Sequence, residues 1–268
     1  MPELPEVEVT RRQISRAWKG RVIERVWTAK SSYFFLTPPA LLRRRLAGRR
    51  TLELTRHGKY ILAHLDDGAR LLLHLGMTGQ LTALPLVQDG HVHFIAHLTG
   101  GACVSFRDVR KFGKLEYIPP GKTSERLERL GPDALLIEPD DFHAGLRKRS
   151  IPIKTALLTQ SILAGVGNIY ADEALFSARI RPTKPARNLS RRETDRLLEH
   201  IKDILERSIA GGGSTINDYL KPDGRLGGYQ DFHQVYGKRG EPCPSCDGSI
   251  AWISLGARST HYCPRCQR

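Results

Sequence analysis

Four of the five cysteines lie in the last twenty-six residues and form two closely spaced pairs. Two residues separate Cys243 from Cys246 and Cys263 from Cys266, and sixteen residues lie between the pairs. Thiolates at this spacing are typical ligands of tetrahedral Zn²⁺. Because all four ligands are thiolates, no position stays open for water, and the sequence predicts one structural Zn²⁺. The fifth cysteine, Cys103, lies in an alternating apolar run and is expected to be a buried, unreactive thiol.

The other end of the chain carries a candidate nucleophile. The sequence begins Met1-Pro2-Glu3, and removal of the initiator methionine is expected to leave the secondary amine of Pro2 at the N-terminus. An α-amine has a pKa well below that of lysine, so a useful fraction is unprotonated near neutral pH. Its attack on a nucleoside C1′ would give an iminium, with the adjacent Glu3 as the acid. The alternative is that Pro2 and Glu3 only provide a favourable first helical turn.

Several segments, in order along the whole chain, resemble the bacterial formamidopyrimidine-DNA glycosylase family. They are PELPEVE at the start, Lys59 in RHGKY, HLGMTGQ at 74–80, RDVRKFG at 107–113, AGVGNIYADEALF at 164–176 and the cysteine-bearing terminus. The resemblance implies a bifunctional enzyme. Its glycosylase activity would excise oxidised purines, such as 8-oxoguanine and formamidopyrimidines, from double-stranded DNA, and its apurinic/apyrimidinic lyase activity would cut the strand by β,δ-elimination.

The resemblance also implies roles for residues near the start of the chain. Pro2 would be the nucleophile, Glu3 the proton donor and acceptor, and Glu6 a second acid that assists proton traffic and helix position. Lys59 matches a β-hairpin lysine that contacts the damaged base and the flanking phosphate. A cation there complements the negative charge that the leaving base gains.

A glycosylase that extrudes its target base must fill the gap in the duplex. The resemblance implies that Met77, Arg110 and Phe112 do so, with Arg110 holding the partner base. His91 resembles a histidine that contacts DNA, and a solvated histidine at a strand end is an equally good interpretation. The resemblance places further DNA contacts at Lys154, Asn168 and Arg258. Asn168 is expected at the N-cap of a helix, where side chain and helix N-terminus face the same phosphate.

Two other functions stay open. The first is excision of oxidised pyrimidines by an endonuclease VIII-type enzyme of the same fold, although Leu4 and the gap-filling set favour oxidised purines. The second is a damage-binding protein without catalysis, against which intact Pro2, Glu3 and Lys59 argue.

The composition agrees with a DNA-binding protein. Forty-two lysines and arginines against twenty-eight aspartates and glutamates give a formal charge of +14, typical of proteins that bind polyanions. No apolar run is long enough to span a membrane, and the first residues lack the pattern of a signal peptide. We therefore expect a soluble monomer in the bacterial cytoplasm, associated with the nucleoid through DNA binding and with no membrane partner.

The elements that must position these residues change in type along the chain. Residues 4–18 predict a helix, and seven short β-rich runs between Val22 and Pro119 predict a sandwich or barrel-like domain, interrupted by a short helix over 41–46. Turns are expected at 66–68 and at 100–101. A capping box at Ser190–Glu193 opens the clearest helix of the second half.

These patterns predict an α+β fold with three parts. An N-terminal catalytic β-sandwich domain with its N-terminal helix is expected over 1–122. A helical DNA-binding domain of the helix-two-turn-helix type is expected over 123–230, and a four-cysteine zinc-finger β-hairpin over 231–268. Residues 214–237 predict a long loop.

Overall fold

A computed structural model describes residues 1–83, 89–216 and 219–268 of the chain. These residues form two compact units, Met1–Glu128 with Gly211–Gln230, and Arg129–Ala210 with Asp231–Arg268. The segment 211–230, which the sequence analysis assigns to the helical domain, therefore belongs to the first unit. The division at residues 122 and 230 stays a prediction. Asn217 and Asp218 of the expected loop lie outside the described residues.

The first unit consists of two four-stranded antiparallel sheets and three helices in its described part. The helices are α1 (Leu4–Trp18), α2 (Pro39–Leu46) and α3 (Glu125–Glu128). The strands are β1 (Ile23–Thr28), β2 (Thr51–His57), β3 (Tyr60–Leu65), β4 (Arg70–His74), β5 (Gly79–Thr82), β6 (Val92–Leu98), β7 (Cys103–Asp108) and β8 (Lys114–Ile118). One sheet has the order β1-β6-β7-β5 and the other β2-β3-β4-β8. All seven strands expected from the sequence are present.

A shared core joins the two sheets into a sandwich. Phe94 and Phe106 from one sheet and Ile61 and Leu71 from the other are fully buried in a single apolar cluster. Trp18 of α1 is buried in the same cluster, because one face of the helix is apolar and packs against the sheets. The predicted β-sandwich with an N-terminal helix is confirmed.

Strand β5 was not expected from the sequence. It pairs with β7, with Gln80 opposite Arg107, but it has only four residues and no clear alternation. A Cβ atom on its first residue, Gly79, would overlap the carbonyl oxygen of Leu75. Only glycine permits this close approach, which turns the chain directly into the strand.

The second unit is helical and carries a terminal hairpin. Its elements are α4 (Pro139–Arg147), α5 (Ile153–Leu158), α6 (Asn168–Ser177), α7 (Arg191–Ala210), β9 (Ala251–Leu255) and β10 (Arg258–Tyr262). The predicted capping box begins α7: the Ser190 N–H donates to Glu193 Oε2 at 2.9 Å, and the Glu193 N–H donates to Ser190 Oγ at 3.3 Å. Within the described part of the chain, no helix combines the length and the apolar character that a membrane span needs.

Candidate active site and nucleic-acid interface

The start of α1 holds two buried carboxylates beside a buried proline. Glu3 is 3% exposed and Glu6 is 1% exposed, and Pro2 is also buried. The Glu3 N–H donates to Glu6 Oε2 at 2.8 Å, and the two residues form a capping box. A helix N-terminus stabilises negative charge, and this offsets part of the free-energy cost of burying the two carboxylates. The structure therefore brings Pro2, Glu3 and Glu6 together.

Glu6 also holds the segment that returns to the first unit. Its Oε1 accepts the Ser214 N–H at 2.8 Å, and the Tyr219 hydroxyl donates to the Glu6 carbonyl oxygen at 3.2 Å. Burial, together with the nearby Glu6 charge, raises the pKa of Tyr219, so the phenol stays protonated and remains a donor. These contacts position Glu6 and α1. Proton transfer by Glu6 stays a proposal.

Lys59 lies in the two-residue turn between β2 and β3. His57 pairs with Tyr60, and Gly58 adopts φ +55° in the turn, a conformation that glycine takes without a steric penalty. Lys59 is only 7% exposed. The Arg56 guanidinium holds the turn by donating to the Gly58 carbonyl oxygen at 3.0 Å.

The sequence did not lead us to expect that Glu8 and the arginines that bind it act as positioning residues. The Glu8 carboxylate accepts hydrogen bonds from Arg11, Arg12 and Arg56 at 2.7 to 3.2 Å. Burial alone would raise the pKa of Glu8, but the hydrogen bonds from Arg11 and Arg12 and the neighbouring positive charges lower it to about 2. The spacing of Glu8 with Arg11 and Arg12, three and four residues on, was the available signal.

His74 at the end of β4 is a neutral histidine. Burial, with smaller contributions from the positive charges of Lys59 and other cations, lowers the pKa of His74 to about 4. Its ring lies 4.7 Å from the Tyr60 ring between centroids, and its Nδ1 accepts the Gly76 N–H at 3.3 Å. Because His74 stays neutral, it does not add a second positive charge beside Lys59.

Three side chains expected to fill a gap in DNA are exposed at turns of the first unit. Met77 is 38% and Phe112 is 41% exposed, and Arg110 is exposed as well. The Arg110 guanidinium lies over the Phe112 ring, 4.6 Å from its centroid. Their exposure leaves these side chains accessible to a partner, as the expected role requires. His91 is half-buried directly before β6, and its N–H donates to Asp89 Oδ1 at 3.0 Å.

In the second unit, Asn168 lies beside the terminal hairpin. Asn168 is the first residue of α6 and Gly167 is its N-cap, so the expectation of Asn168 at the N-cap is off by one position. The reason is that Gly167 adopts the extended conformation of a cap. The Asn168 Nδ2 donates to Ser259 Oγ at 3.2 Å, next to the exposed Arg258. The pair forms a polar, partly exposed surface.

Lys154 is buried, whereas a residue that contacts DNA must be accessible. It is 1% exposed, and its Nζ lies 2.6 Å from Asp172 Oδ1. The Nζ also donates to the Ser259 carbonyl oxygen at 2.6 Å and to Thr260 Oγ1 at 2.9 Å. A phosphate cannot reach an ammonium group enclosed in this way. We therefore correct the expected DNA contact: Lys154 links α5 to α6 and to β10.

The four cysteines of the terminal pairs form a candidate metal centre. Their sulfur atoms all lie within 4.8 Å of one another, with 3.8 Å between Cys243 and Cys266 and 3.6 Å between Cys246 and Cys263. A metal–sulfur distance of about 2.3 Å gives tetrahedral edges of about 3.8 Å. The residues therefore fit one structural Zn²⁺, held by four thiolates.

The loops of the metal centre carry the hydrogen bonds that orient such ligands. The Ser245 N–H donates to Cys243 Sγ and the Gly248 N–H donates to Cys246 Sγ, both at 3.4 Å. Cys103, outside the centre, is half-buried rather than fully buried.

Comparison with known proteins accounts for both units. Residues 1–115 match the formamidopyrimidine-DNA glycosylase N-terminal domain, 130–219 the H2TH domain of the same enzymes, and 240–268 a zinc finger found in FPG and IleRS. The formamidopyrimidine-DNA glycosylase of Heliobacterium modesticaldum is 41% identical over 280 residues and that of Listeria innocua 39% over 274, with both chains covered completely in each case.

Solved structures agree with these relatives. The MutM (Fpg) protein of Thermus thermophilus has a TM-score of 0.89 and 40% identity, and the match covers 99% of this chain and 98% of that protein. A Lactococcus lactis Fpg mutant in complex with Fapy-dG-containing DNA has a TM-score of 0.89 at 35% identity, with both chains covered completely.

The β-sandwich, the helical unit and the four-thiolate hairpin together define a DNA-repair glycosylase fold. The chain belongs to the formamidopyrimidine-DNA glycosylase family. Its members are DNA glycosylases with apurinic/apyrimidinic lyase activity, and this chain is an enzyme of that class.

Proposed function

We propose that this protein excises 8-oxoguanine and formamidopyrimidines from double-stranded DNA and then cuts the strand, with Pro2 as its nucleophile. The observation that carries the proposal is the buried group at the start of α1, where Pro2 stands beside Glu3 at 3% and Glu6 at 1% exposure. Carboxylates this deeply buried are uncommon outside ion pairs and functional sites. Removal of Met1 is required, because only a free Pro2 nitrogen has the lone pair for attack.

In the proposed reaction the Pro2 nitrogen forms a bond to C1′ as the bond from C1′ to the base breaks. The proton that the Pro2 nitrogen loses passes to the departing base, so a tertiary amine remains. Glu3 then protonates O4′ as the C1′–O4′ bond breaks and the sugar ring opens, and the nitrogen lone pair forms the C1′=N bond of an iminium cation. The Glu3 carboxylate, now deprotonated, takes a proton from C2′, and the resulting enamine expels the 3′ phosphate. Loss of a C4′ proton to solvent in a second elimination then expels the 5′ phosphate. Water hydrolyses the remaining iminium and restores the free Pro2 amine.

Lys59 supports this chemistry by its charge. Lys59 lies in a turn fixed by Arg56, and the residue as a whole is only 7% exposed. In such a site a cation stabilises the negative charge of the departing base more strongly than it would in water. We propose that Lys59 contacts this base and the adjoining phosphate.

Recognition of the duplex is assigned to the exposed residues. Met77 and Phe112 offer apolar surface for the gap left by the extruded base, and the Arg110 guanidinium offers donors to the unpaired partner. We assign phosphate contacts to Asn168 and Arg258, and a DNA contact to His91. One structural Zn²⁺ holds the hairpin that carries Arg258. We propose that it works on bacterial DNA in the cytoplasm, associated with the nucleoid through DNA binding.

Borohydride trapping tests the nucleophile. The parent protein, with Met1 removed as verified by intact mass, should form a stable covalent complex with DNA containing 8-oxoguanine. Pro2→Gly should be trapped far more weakly, and Glu3→Gln should bind the DNA but lose base excision. Equal trapping of the parent and Pro2→Gly would reject Pro2 as the main nucleophile.

The partner base separates this function from excision of oxidised pyrimidines. Arg110 should favour cytosine, whose O2 and N3 accept hydrogen bonds, over adenine opposite 8-oxoguanine by about tenfold to a hundredfold. Arg110→Ala should lose this preference. A parent that prefers oxidised pyrimidines would support the endonuclease VIII-type alternative, and one that binds damaged DNA without trapping would support the non-catalytic one.

A further inference from the structure

One buried carboxylate contacts both turns that carry the gap-filling side chains. Asp108, at the end of β7, is completely buried. Its Oδ1 accepts the Thr78 hydroxyl at 2.5 Å, and Thr78 directly follows Met77. Its Oδ2 accepts the Gly113 N–H at 2.6 Å, directly after Phe112. Asp108 therefore joins residues adjacent to Met77 on one turn and to Phe112 on the other.

Arg110 is held by the same group. The Arg110 N–H points to Asp108 Oδ1 at 3.3 Å and to Thr78 Oγ1 at 3.2 Å. The Asp108 backbone is itself fixed, because its N–H donates to the His91 carbonyl oxygen at 2.8 Å and its carbonyl oxygen lies 2.9 Å from His93 Nε2. The carboxylate is thus anchored in the sheet before it reaches the turns.

The two turns also touch through their backbones. A Cβ atom on Gly76 would lie 2.5 Å from the Gly113 nitrogen and 2.5 Å from the Phe112 carbonyl carbon. Such contacts leave no room for a side chain at Gly76. Lys111, between the two exposed residues Arg110 and Phe112, adopts φ +58°, a conformation that non-glycine residues adopt only where the surroundings impose it.

Tyr33 supports the Arg110 turn from solvent. Its hydroxyl donates to the Arg110 carbonyl oxygen at 2.6 Å, and Lys114 Nζ lies 4.8 Å from the centre of its ring. Tyr33 is 58% exposed, so it is not needed to fill the core. An exposed phenol on this carbonyl oxygen fixes the direction in which Arg110 leaves the turn.

We propose that Asp108, assisted by Tyr33, is the positioning residue that joins Met77, Arg110 and Phe112 into one preassembled wedge. This inference rests on the proposed function and extends it to residues outside the set that touches DNA. A wedge whose parts are already fixed relative to one another loses little conformational freedom on entering the duplex. Separate turns would each have to become ordered at that moment, which would slow base extrusion and loosen the hold of Arg110 on its partner base.

The test uses variants that each change one side chain of this network. Thr78→Val removes the hydroxyl that binds Asp108, and Thr78→Ser keeps it. Asp108→Asn replaces one carboxylate oxygen by an NH2 group, so the side chain can no longer accept hydrogen bonds from both turns. Tyr33→Phe removes only the exposed hydroxyl. Asp67→Asn is the matched control, because Asp67 also accepts a backbone N–H, that of Ala69 at 3.0 Å, but lies in the turn between β3 and β4.

Each variant is assayed for excision of 8-oxoguanine opposite cytosine and adenine, and for borohydride trapping on DNA with a preformed abasic site. We expect Thr78→Val and Asp108→Asn to slow excision opposite cytosine about tenfold and to reduce the preference for cytosine, in line with the loss of a hydrogen bond to a charged group. Tyr33→Phe should reduce the preference with a smaller loss of rate. Thr78→Ser and Asp67→Asn should behave like the parent, and abasic trapping should be retained throughout.

Two results would overturn the inference. The first is an excision rate and a preference for cytosine that stay within twofold of the parent in Thr78→Val and Tyr33→Phe. These two variants are expected to fold even if Asp108→Asn does not. The second is an equal loss of excision and abasic trapping, which would indicate a general structural defect. A failure of the proposed function would look different, because the parent itself would then neither excise 8-oxoguanine nor be trapped.

Discussion

The Glu8 carboxylate lies 3.2 Å from the Arg56 Nε and connects the first helix to the second strand. Arg56 also binds the carbonyl oxygen of Gly58, the residue before Lys59. One network of charges thus extends from the helix that follows Pro2 and Glu3 to the turn that carries Lys59. The position of the proposed catalytic lysine relative to this helix depends on a residue with no chemical role of its own.

Glu8→Gln should destabilise the protein in a pH-dependent way. Because the pKa of Glu8 is lowered to about 2 from 4.5, its charge stabilises the folded state above pH 4.5, and this stabilisation is lost as the pH falls towards 2. At pH 7 we expect a loss on the order of 2 kcal/mol in the free energy of unfolding, measured with urea. Glu24→Gln, at an exposed position of β1, is the control. A difference from the parent that does not shrink in acid would contradict this account.

His74 predicts a second pH dependence at higher pH. Its pKa is lowered to about 4, so between pH 6.5 and 4 the unfolded chain binds a proton that the folded chain does not. Above pH 6.5, His74 is neutral in both the folded and the unfolded state and costs no stability. As the pH decreases to 4, the free energy of unfolding falls by about 3 kcal/mol. His74→Gln should flatten the stability profile across this window. Urea unfolding at half-unit pH steps measures it, and an unaltered slope would show that His74 titrates normally.

Zinc removal should affect the terminal hairpin and spare the first unit. Cys246→Ser removes one thiolate, and a chelator removes the metal, so both should lower the zinc content from one ion per chain and weaken DNA binding. Cys103→Ser is the matched control. Borohydride trapping at high DNA concentration should persist in Cys246→Ser, since no proposed catalytic group lies in the hairpin. Full zinc occupancy in Cys246→Ser would disprove the four-thiolate assignment.

Lys154→Met should be strongly destabilising although no DNA contact is lost. The variant leaves the fully buried Asp172 without its cation, and such a loss costs about 3 kcal/mol or more. Adding Asp172→Asn should recover part of the stability, because the amide oxygen can still accept the His261 N–H, which lies 2.9 Å from Asp172 Oδ2. Calorimetry measures both variants. A Lys154→Met variant as stable as the parent but weaker in DNA binding would restore the direct contact that we have corrected.

Gly76→Ala and Gly20→Ala form a matched pair of substitutions. Both glycines have positive φ, +64° and +79°, but a Cβ on Gly76 meets the backbone of the neighbouring turn and a Cβ on Gly20 meets nothing within 4 Å. Gly20→Ala should cost about 1 kcal/mol through backbone strain alone. Gly76→Ala should cost at least about 2 kcal/mol more because of the clash. Equal losses in urea unfolding would show that the two turns do not pack closely.

Local signals predicted the fold where they were strong. The capping box at Ser190 and Glu193 and the turn glycines of the hairpins act within a few residues, so the sequence is enough to place α7 and most strands. Strand β5 was not predicted because it is stabilised by pairing with β7, which lies in a distant segment of the sequence. The burial of Lys154 escaped for the same reason, since its acceptors at 172, 259 and 260 lie far along the chain.

The candidate site divides in the same way. The resemblance of motifs indicated Pro2, Glu3 and Lys59 as candidates, but it gave no indication of Glu8 and Arg56, or of the contacts of Asp108. These groups act through other residues, and their importance depends on distances that only the folded chain defines.

The return of residues 211–230 to the first unit also affects synthesis of the protein. The Glu6 carboxylate receives the Ser214 N–H from 208 residues further along the chain. During translation, the helix that carries the proposed catalytic groups therefore leaves the ribosome long before its partner segment exists. The first unit can be completed only after residue 230 has been made. A nascent chain interrupted earlier would have both of the proposed catalytic carboxylates but not the segment that holds Glu6, which delays the appearance of a strand-cutting activity until synthesis is nearly finished.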